Sequence, residues 1–289
     1  MIKAILKIMR PRQWIKNVIV FFALVFDKQL FQLEPALRTL AGFALFSLIS
    51  SAVYIFNDIA DIDADRQHPK KKLRPLPSGE LSVKVARGFG VFLVAFVLPT
   101  AYSLTPAFAA VLALYFLMML AYSSRLKHIP ILDVMIIATG FVLRVHSGVT
   151  LIAVERFSPW LYVITTLGAL YLGFGKRRAE LGLLSDSAGS HRKVLEGYTI
   201  PLLDQFITIV SGTTIVAYSL YTFTAPNLPD NHVMMLTIPF VIYAIFRYLY
   251  LVQISHVTGS PEEVVLTDRP LQITIVLWGI VVMAVFYLS

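Results

Sequence analysis

The sequence predicts an all-α integral membrane protein, a bundle of nine transmembrane helices with its N-terminus in the cytoplasm. Three observations predict it. Charged residues make up only 15% of the chain and the mean hydropathy is +0.73, where a soluble domain carries roughly 25% charged residues. Apolar runs long enough to cross a bilayer, roughly 20 residues each, recur along the whole length. The cations between those runs sort onto one side of the membrane.

The elements follow in order, with boundaries of about 15–33, 38–60, 83–102, 106–123, 131–151, 159–176, 202–222, 233–252 and 270–288. The first follows a basic start, Met1–Lys16, and has no small-residue cleavage site before it ends, so no cleavable signal is expected. The second runs into a series of aspartates. The third and fourth are separated only by a short turn around Ser103–Pro106, which reads as a tight helical hairpin. The fifth carries Arg144 and His146 inside an apolar run. The sixth ends in the cations Lys176, Arg177 and Arg178. Asp204 stands near the start of the seventh, where a helix cap is one role open to it, and Arg247 lies within the eighth. Gly and Pro interrupt several runs, which bundled membrane helices tolerate when neighbours satisfy the freed backbone groups. With no short-period repeat or low-complexity tract, residues 1–289 read as one domain.

Orientation comes from the loops. With the N-terminus inside, the cytoplasmic segments hold Lys3, Lys7, Arg10, Arg12 and Lys16; Arg66, Lys70–Lys72, Arg74, Lys84 and Arg87; Arg125 and Lys127; Lys176–Arg178, Arg192 and Lys193; and Arg269. The opposite side receives Lys28, Arg38 and Arg156. That is 20 of the 25 Lys and Arg against 3, with Arg144 and Arg247 inside helices. The expected location of this multi-pass protein is the inner, plasma membrane, and such sorting puts the long polar loops, at about 61–82, 177–201 and 253–269, in the cytoplasm. A working surface is expected there. The same sorting accounts for the net charge of +8 without nucleic acid, which is not an expected partner. With no cysteine, the chain has neither a disulfide framework nor a thiolate metal site. The scattered histidines, His68, His128, His191, His232 and His256, lack metal-ligand spacing, and His146 reads as structural. The oligomeric state is not legible.

The most informative stretch is Asn57-Asp58-Ile59-Ala60-Asp61-Ile62-Asp63-Ala64-Asp65, at the cytoplasmic end of the second span. On a continuous helix Asp58, Asp61 and Asp65 share one face at i, i+3 and i+7, Asn57 joins them, and Asp63 points elsewhere. Three carboxylates so spaced repel one another unless a cation neutralises them. Hard oxygen ligands suit Mg²⁺, which keeps waters and completes its shell with substrate phosphates. An ordinary acidic helix end in water is the bland alternative, against which stands the expense of acids at a span boundary. The loop that follows reads Arg66-Gln67-His68-Pro69-Lys70-Lys71-Lys72-Leu73-Arg74-Pro75-Leu76-Pro77-Ser78-Gly79. Its lysines suit anionic lipid. Arg74 differs, because the flanking Pro75, Pro77 and Gly79 stiffen the backbone and lower the entropy lost on gripping a phosphate.

The Asn-Asp-x-x-Asp motif with its Lys-x-Arg-Pro-Leu-Pro-Ser-Gly loop resembles the UbiA-type intramembrane prenyltransferase superfamily. Arg10-Pro11-x-x-Trp14-x-Lys16-Asn17 resembles that family's entry segment, and Tyr122-Ser-Ser-Arg-Leu-Lys127 leading to Leu132-Asp133 resembles its Tyr…Leu-Lys stretch. The resemblance implies nine helices and Mg²⁺ held by Asp58, Asp61 and Asn57. One departure is informative. Where most members carry a second motif, Asp-x-x-x-Asp, this chain reads Gly173-Phe174-Gly175-Lys176-Arg177-Arg178-Ala179-Glu180-Leu181. A metal–diphosphate needs carboxylates beside it, whereas a bare phosphate needs Lys or Arg directly. This pattern, with Leu143-Arg144-Val145, Gly148 and Val265–Pro270, resembles the decaprenyl-phosphate phosphoribosyltransferase branch.

The branch implies an enzyme, a phosphoribosyl (glycosyl) transferase of cell-wall precursor biosynthesis. It moves a 5-phosphoribosyl group from phosphoribosyl diphosphate (PRPP) to a polyprenyl phosphate such as decaprenyl phosphate and releases diphosphate. On that reading Asp58 and Asp61 hold the metal, and Asn57 and Asp65 orient ligands or water. Lys176, Arg177 and Arg178 hold the acceptor phosphate, with topological anchoring as their alternative. Lys16 meets the lipid phosphate, and Arg74, Tyr122, Lys127, Arg144 and Asp268 line the substrate site. Glu180 has two roles open, holding one of the cations or a ribose hydroxyl. A sibling that transfers a prenyl group from a prenyl diphosphate to an aromatic acceptor explains the first motif equally and the basic second site poorly. A transporter is the remote alternative, with charges gathered at one face instead of the midplane.

Overall fold

The computed structural model describes residues 1–67, 71–154, 158–184, 193–226, 228–254 and 261–288, and every regular element among them is helical. His68, Lys70, Arg156, His191, Arg192 and His256 lie outside the described residues.

A short helix, α1 (Ile2–Met9), opens the chain. Arg10 ends it in the left-handed region at φ 54°, and Pro11, with no N–H to donate back, starts a 3-10 run over Pro11–Phe21 that passes into α2 (Phe22–Phe26). The expected first span is therefore a composite of tighter and ordinary helix. The second, α3 (Leu33–Ala60), is 28 residues long and apolar around most of its circumference, as a helix with no polar face to present must be. α4 (Ile62–Gln67) follows after a break at Asp61. In α5 (Val83–Leu104), Ser82 caps the start by accepting from the Val85 N–H. Thr105 does the same for α6 (Pro106–Ser124), accepting from Phe108, with Pro106 at the first helical position. The hairpin read from Ser103–Pro106 is thus a single capping residue between two helices.

α7 (Leu132–Val149), α8 (Trp160–Leu184), α9 (Ile200–Thr224), α10 (Ile238–Gln253), α11 (Pro261–Thr267) and α12 (Arg269–Leu288) complete the order. Among the described residues seven helices are long and apolar enough to cross a membrane: Leu33–Ala60, Val83–Leu104, Pro106–Ser124, Leu132–Val149, Ile200–Thr224, Val233–Gln253 and Arg269–Leu288. The expected first and sixth spans are not among them. The first is too interrupted, and α8 carries Lys176, Arg177, Arg178 and Glu180 on the same continuous helix as its apolar part.

The chain forms two compact units. The first comprises Met1–Val25, Gln29–Ile129 and Val142–Val154; the second comprises Phe26–Lys28, Pro130–Phe141 and Glu155–Ser289, so α7 contributes a half to each. In the first, Phe46, Ile49, Val97, Phe108, Leu112 and Leu151 form one core. A second core there joins Ala4 and Ile8 of α1 to Ala52 and Ile55 of α3 and to Leu76 and Leu81 of the loop. In the second unit Val134, Tyr171, Leu203, Ile207 and Tyr248 belong to one core, and Tyr218, Tyr221, Met234, Val282 and Phe286 to another.

Candidate active site

The acidic motif sits where α3 gives way to α4. Asp61 leaves the helical region at φ −96° and ψ 7°, yet the Asp65 N–H still reaches the Asp61 carbonyl at 2.8 Å. The helix expected to run through the motif is bent at Asp61, and the carboxylates divide accordingly. Asp58 and Asp65 are each 2% exposed and share Arg74, whose NH1 lies 3.3 Å from Asp58 Oδ1 and 2.6 Å from Asp65 Oδ2. Asp61 turns to Lys127, Nζ to Oδ1 2.7 Å. Arg10 donates to Asp58 Oδ1 and lies over the Tyr54 ring. Lys71 stands 3.7 Å from Asp65. Asp63 faces outward and pairs only with Arg66 among these, at 3.1 Å.

Arg74 is held by its loop. The Ser78 N–H bonds the Arg74 carbonyl at 3.0 Å and the Leu81 N–H bonds Pro75 at 2.9 Å, while Leu76 and Leu81 are buried. Gly79, at φ 80°, makes the reversal that L side chains resist. A guanidinium delivered this way loses little freedom when it grips an anion.

Lys16, half-buried, lies in the 3-10 run, and Tyr122 is buried near the end of α6. Arg144 is 6% exposed on α7, inside a span. Its Nε donates to Asn17 at 2.8 Å, its NH2 to the Tyr115 hydroxyl at 2.8 Å, and its carbon faces the rings of Phe46 and Tyr115. Asn17 in turn donates to Ser47 at 3.0 Å. One turn on, a Cβ at Gly148 would collide with the Val20 carbonyl oxygen, so only glycine lets the 3-10 run lie this close to α7. This polar ladder fixes the 3-10 run to α3, α6 and α7 within the first unit.

In the second unit the three cations of α8 have different environments. Arg177, 3% exposed, gives Nε to Asp133 at 2.6 Å and NH1 to Glu180 at 2.6 Å. Asp133 is wholly buried and also receives the Tyr198 hydroxyl at 2.7 Å, and that hydroxyl accepts the Ile131 N–H at 2.5 Å. Burial, and then the bond to Asp133, push the Tyr198 hydroxyl well above its ordinary value, so it remains a donor. Arg178 pairs with Asp204 at 3.0 Å and reaches the Val252 carbonyl at 3.4 Å. Lys176 is half-buried. Asp204 therefore partners an arginine instead of capping α9, the cap being Thr199. Of the two roles open to Glu180, holding a cation is the one its geometry serves. Asp268 receives Arg247 through both oxygens, at 3.2 and 2.8 Å, and caps α12 by accepting from Leu271 at 2.9 Å. The Arg247 hydrogen bonds, aided by the Leu271 N–H, hold the Asp268 carboxyl below the usual carboxylate range against a partial burial that raises it.

Arg10, Tyr198 and Asp133 join these networks although the motifs of the sequence give none of them a role in the site. The Arg-Pro pair that breaks α1 was the available signal for Arg10. Nothing local marks Tyr198.

Among the described residues no three His, Cys, Asp or Glu side chains converge as a self-sufficient metal site. Asp58 and Asp61 offer hard oxygens of the kind Mg²⁺ takes from protein when phosphates and waters supply the rest of its shell. The donor set fits that ion, and Arg10, Arg74 and Lys127 lie against these carboxylates.

The model of the UbiA prenyltransferase family matches residues 18–261. The decaprenyl-phosphate phosphoribosyltransferase of Mycobacterium tuberculosis (strain CDC 1551 / Oshkosh) is 34% identical over 283 residues, 96% of this chain and 92% of that one. The enzyme of the same name from Corynebacterium glutamicum is 33% identical over 291 residues, 97% and 86% of the two chains. Among solved structures, a UbiA homolog from Archaeoglobus fulgidus bound to DMAPP and Mg²⁺ superposes with a TM-score of 0.72 over 99% of both chains at 19% identity, which speaks to fold alone.

Proposed function

The chain belongs to the UbiA prenyltransferase family, and from that premise we propose that it transfers a 5-phosphoribosyl group from phosphoribosyl diphosphate to a polyprenyl phosphate, decaprenyl phosphate in its relatives, releasing diphosphate. Near-full-length similarity to enzymes of that name supports the reaction. The arrangement that carries the reading is Arg74 bridging Asp58 and Asp65 from a proline-stiffened loop.

The C1–O bond to diphosphate breaks, and an acceptor phosphate oxygen forms the new bond to C1. That oxygen is already anionic, so no proton has to be removed by a general base. Asp58 and Asp61, with Asn57 beside them, would hold Mg²⁺, which would supply a Lewis acid for the charge developing on the leaving diphosphate. Arg74, Arg10 and Lys127 orient the carboxylates and offer donors to the same anion. Asp65 holds Arg74 in place. At the end of α8, Lys176 and Arg178 are assigned to the acceptor phosphate, while Arg177 sets their positions through Asp133 and Glu180. Lys16 is assigned to the lipid phosphate from the 3-10 run, and Tyr122 to the donor. Asp268 and Arg144 act through Arg247 and Asn17, the partners they hold. Alignment of the reacting atoms supplies most of the benefit.

The 20-to-3 sorting of cations supports nine crossings, counting the 3-10 run with α2 and the apolar part of α8, with the N-terminus and the acidic motif on the cytoplasmic face of the plasma membrane. The family match runs across both units, which supports one catalytic domain. Purified protein offered phosphoribosyl diphosphate with polyprenyl phosphate, or a prenyl diphosphate with an aromatic acid, tests the assignment. Product from the first pair is expected; product from the second pair alone overturns it.

A further inference from the structure

α1 has three unlike stripes. Ala4 and Ile8 are buried with Ala52, Ile55, Leu76 and Leu81. Ile2 and Leu6, one turn apart, are 73% and 52% exposed. Lys3 and Lys7 form the third stripe, both exposed. The first 26 residues hold five cations, Lys3, Lys7, Arg10, Arg12 and Lys16, and no Asp or Glu. An exposed aliphatic stripe beside an all-cationic one is the pattern of a helix lying in a lipid interface, apolar side toward the acyl chains and cations among headgroups. The charge selects anionic headgroups over zwitterionic ones.

α1 is also wired to the acidic motif at two points. It ends at Arg10, which donates to Asp58. Lys7 Nζ donates to the Leu73 carbonyl at 3.1 Å and meets Glu80 at 3.4 Å, so it grips both ends of the loop that carries Arg74.

We propose that α1 docks on the anionic lipid surface of the leaflet it borders, with Ile2 and Leu6 in the acyl boundary and Lys3 and Arg12 on headgroups. Through Arg10 and Lys7 this docking steadies the two arginines that meet Asp58. The lipid composition around the protein thereby sets the order of the Arg74 loop.

The chain has no cysteine, so Leu6→Cys gives a single labelling position, with Arg66→Cys as a water-exposed reference. Both are labelled with an environment-sensitive fluorophore in nanodiscs of phosphatidylcholine with or without phosphatidylglycerol. The label at position 6 is expected to be quenched by doxyl lipid and shielded from iodide, most strongly with phosphatidylglycerol, and the reference label the reverse. Lys3→Glu should weaken the doxyl quenching in phosphatidylglycerol discs. Iodide quenching at position 6 in both compositions overturns the docking. In the same discs of the unlabelled full chain, amide exchange at Ser78 and Leu81 should slow by about fivefold when phosphatidylglycerol is present, and Lys7→Met should abolish the difference. Equal exchange in the two compositions overturns the coupling. Neither readout uses enzymatic turnover, so a failure here is separable from a failure of the proposed reaction.

Discussion

Replacing Asp133 by asparagine keeps the volume of the side chain and removes its charge. The carboxylate is wholly buried and takes two donors, Arg177 Nε at 2.6 Å and the Tyr198 hydroxyl at 2.7 Å. An amide has one acceptor oxygen, so one of those donors would face an NH2. Removing one partner of a buried ion pair costs about 3–5 kcal/mol. Glu180 still holds Arg177 NH1 at 2.6 Å, which brings the expectation to the lower end, about 3 kcal/mol. Adding Arg177→Met removes the stranded charge, and a buried pair replaced as a whole is close to neutral. The double variant should therefore be at least as stable as Asp133→Asn, and because Arg177→Met alone strands the Asp133 carboxylate at a similar cost of about 3 kcal/mol, the coupling energy should be about 3 kcal/mol. Equilibrium unfolding in mixed detergent micelles, followed by tryptophan fluorescence, measures all four corners of the cycle. A coupling energy under about 0.5 kcal/mol would refute the claim that Arg177 and Asp133 act as one unit.

Gly148→Ala forces a methyl into the Val20 carbonyl, and because the obstacle is backbone the expected loss is at the upper end of overpacking, about 3 kcal/mol, read by the same unfolding measurement. Arg74→Lys keeps one charge but loses the planar guanidinium, whose NH1 meets both Asp58 and Asp65 and whose other nitrogens can serve an anion; a fall in kcat/KM of about tenfold or more is expected, equivalent to about 1.4 kcal/mol, and a lysine variant with wild-type kinetics would show that charge alone suffices. Chelating divalent metal should abolish transfer, and restoring Mg²⁺ should recover it. Phosphoribosyl diphosphate with Mg²⁺, at a hundred times its Kd, should raise stability by about 2.7 kcal/mol, seen as a higher Tm, whereas phosphoribosyl diphosphate with chelator should not.

How far the sequence reads the site depends on the residue. The acidic motif was visible because its aspartates stand next to one another in the chain, and Arg74 because prolines flank it. The register was only partly legible: a bend at Asp61 pairs Asp58 with Asp65 through Arg74 and sends Asp61 to Lys127. The basic trio of α8 looked uniform, yet Arg177 is buried on carboxylates while Arg178 meets Asp204.

By itself the sequence determined the membrane class, the helical content and the α5–α6 hairpin. Each of these follows from composition or from neighbours within a turn or two, since a bilayer leaves the backbone no alternative to local hydrogen bonds. Tertiary structure decided who neutralises whom. Arg10 reaches Asp58 across 48 residues, Lys127 reaches Asp61 across 66, and Tyr198 reaches Asp133 across 65. A buried charge must find its partner wherever packing delivers one, and no spacing along the chain records that choice.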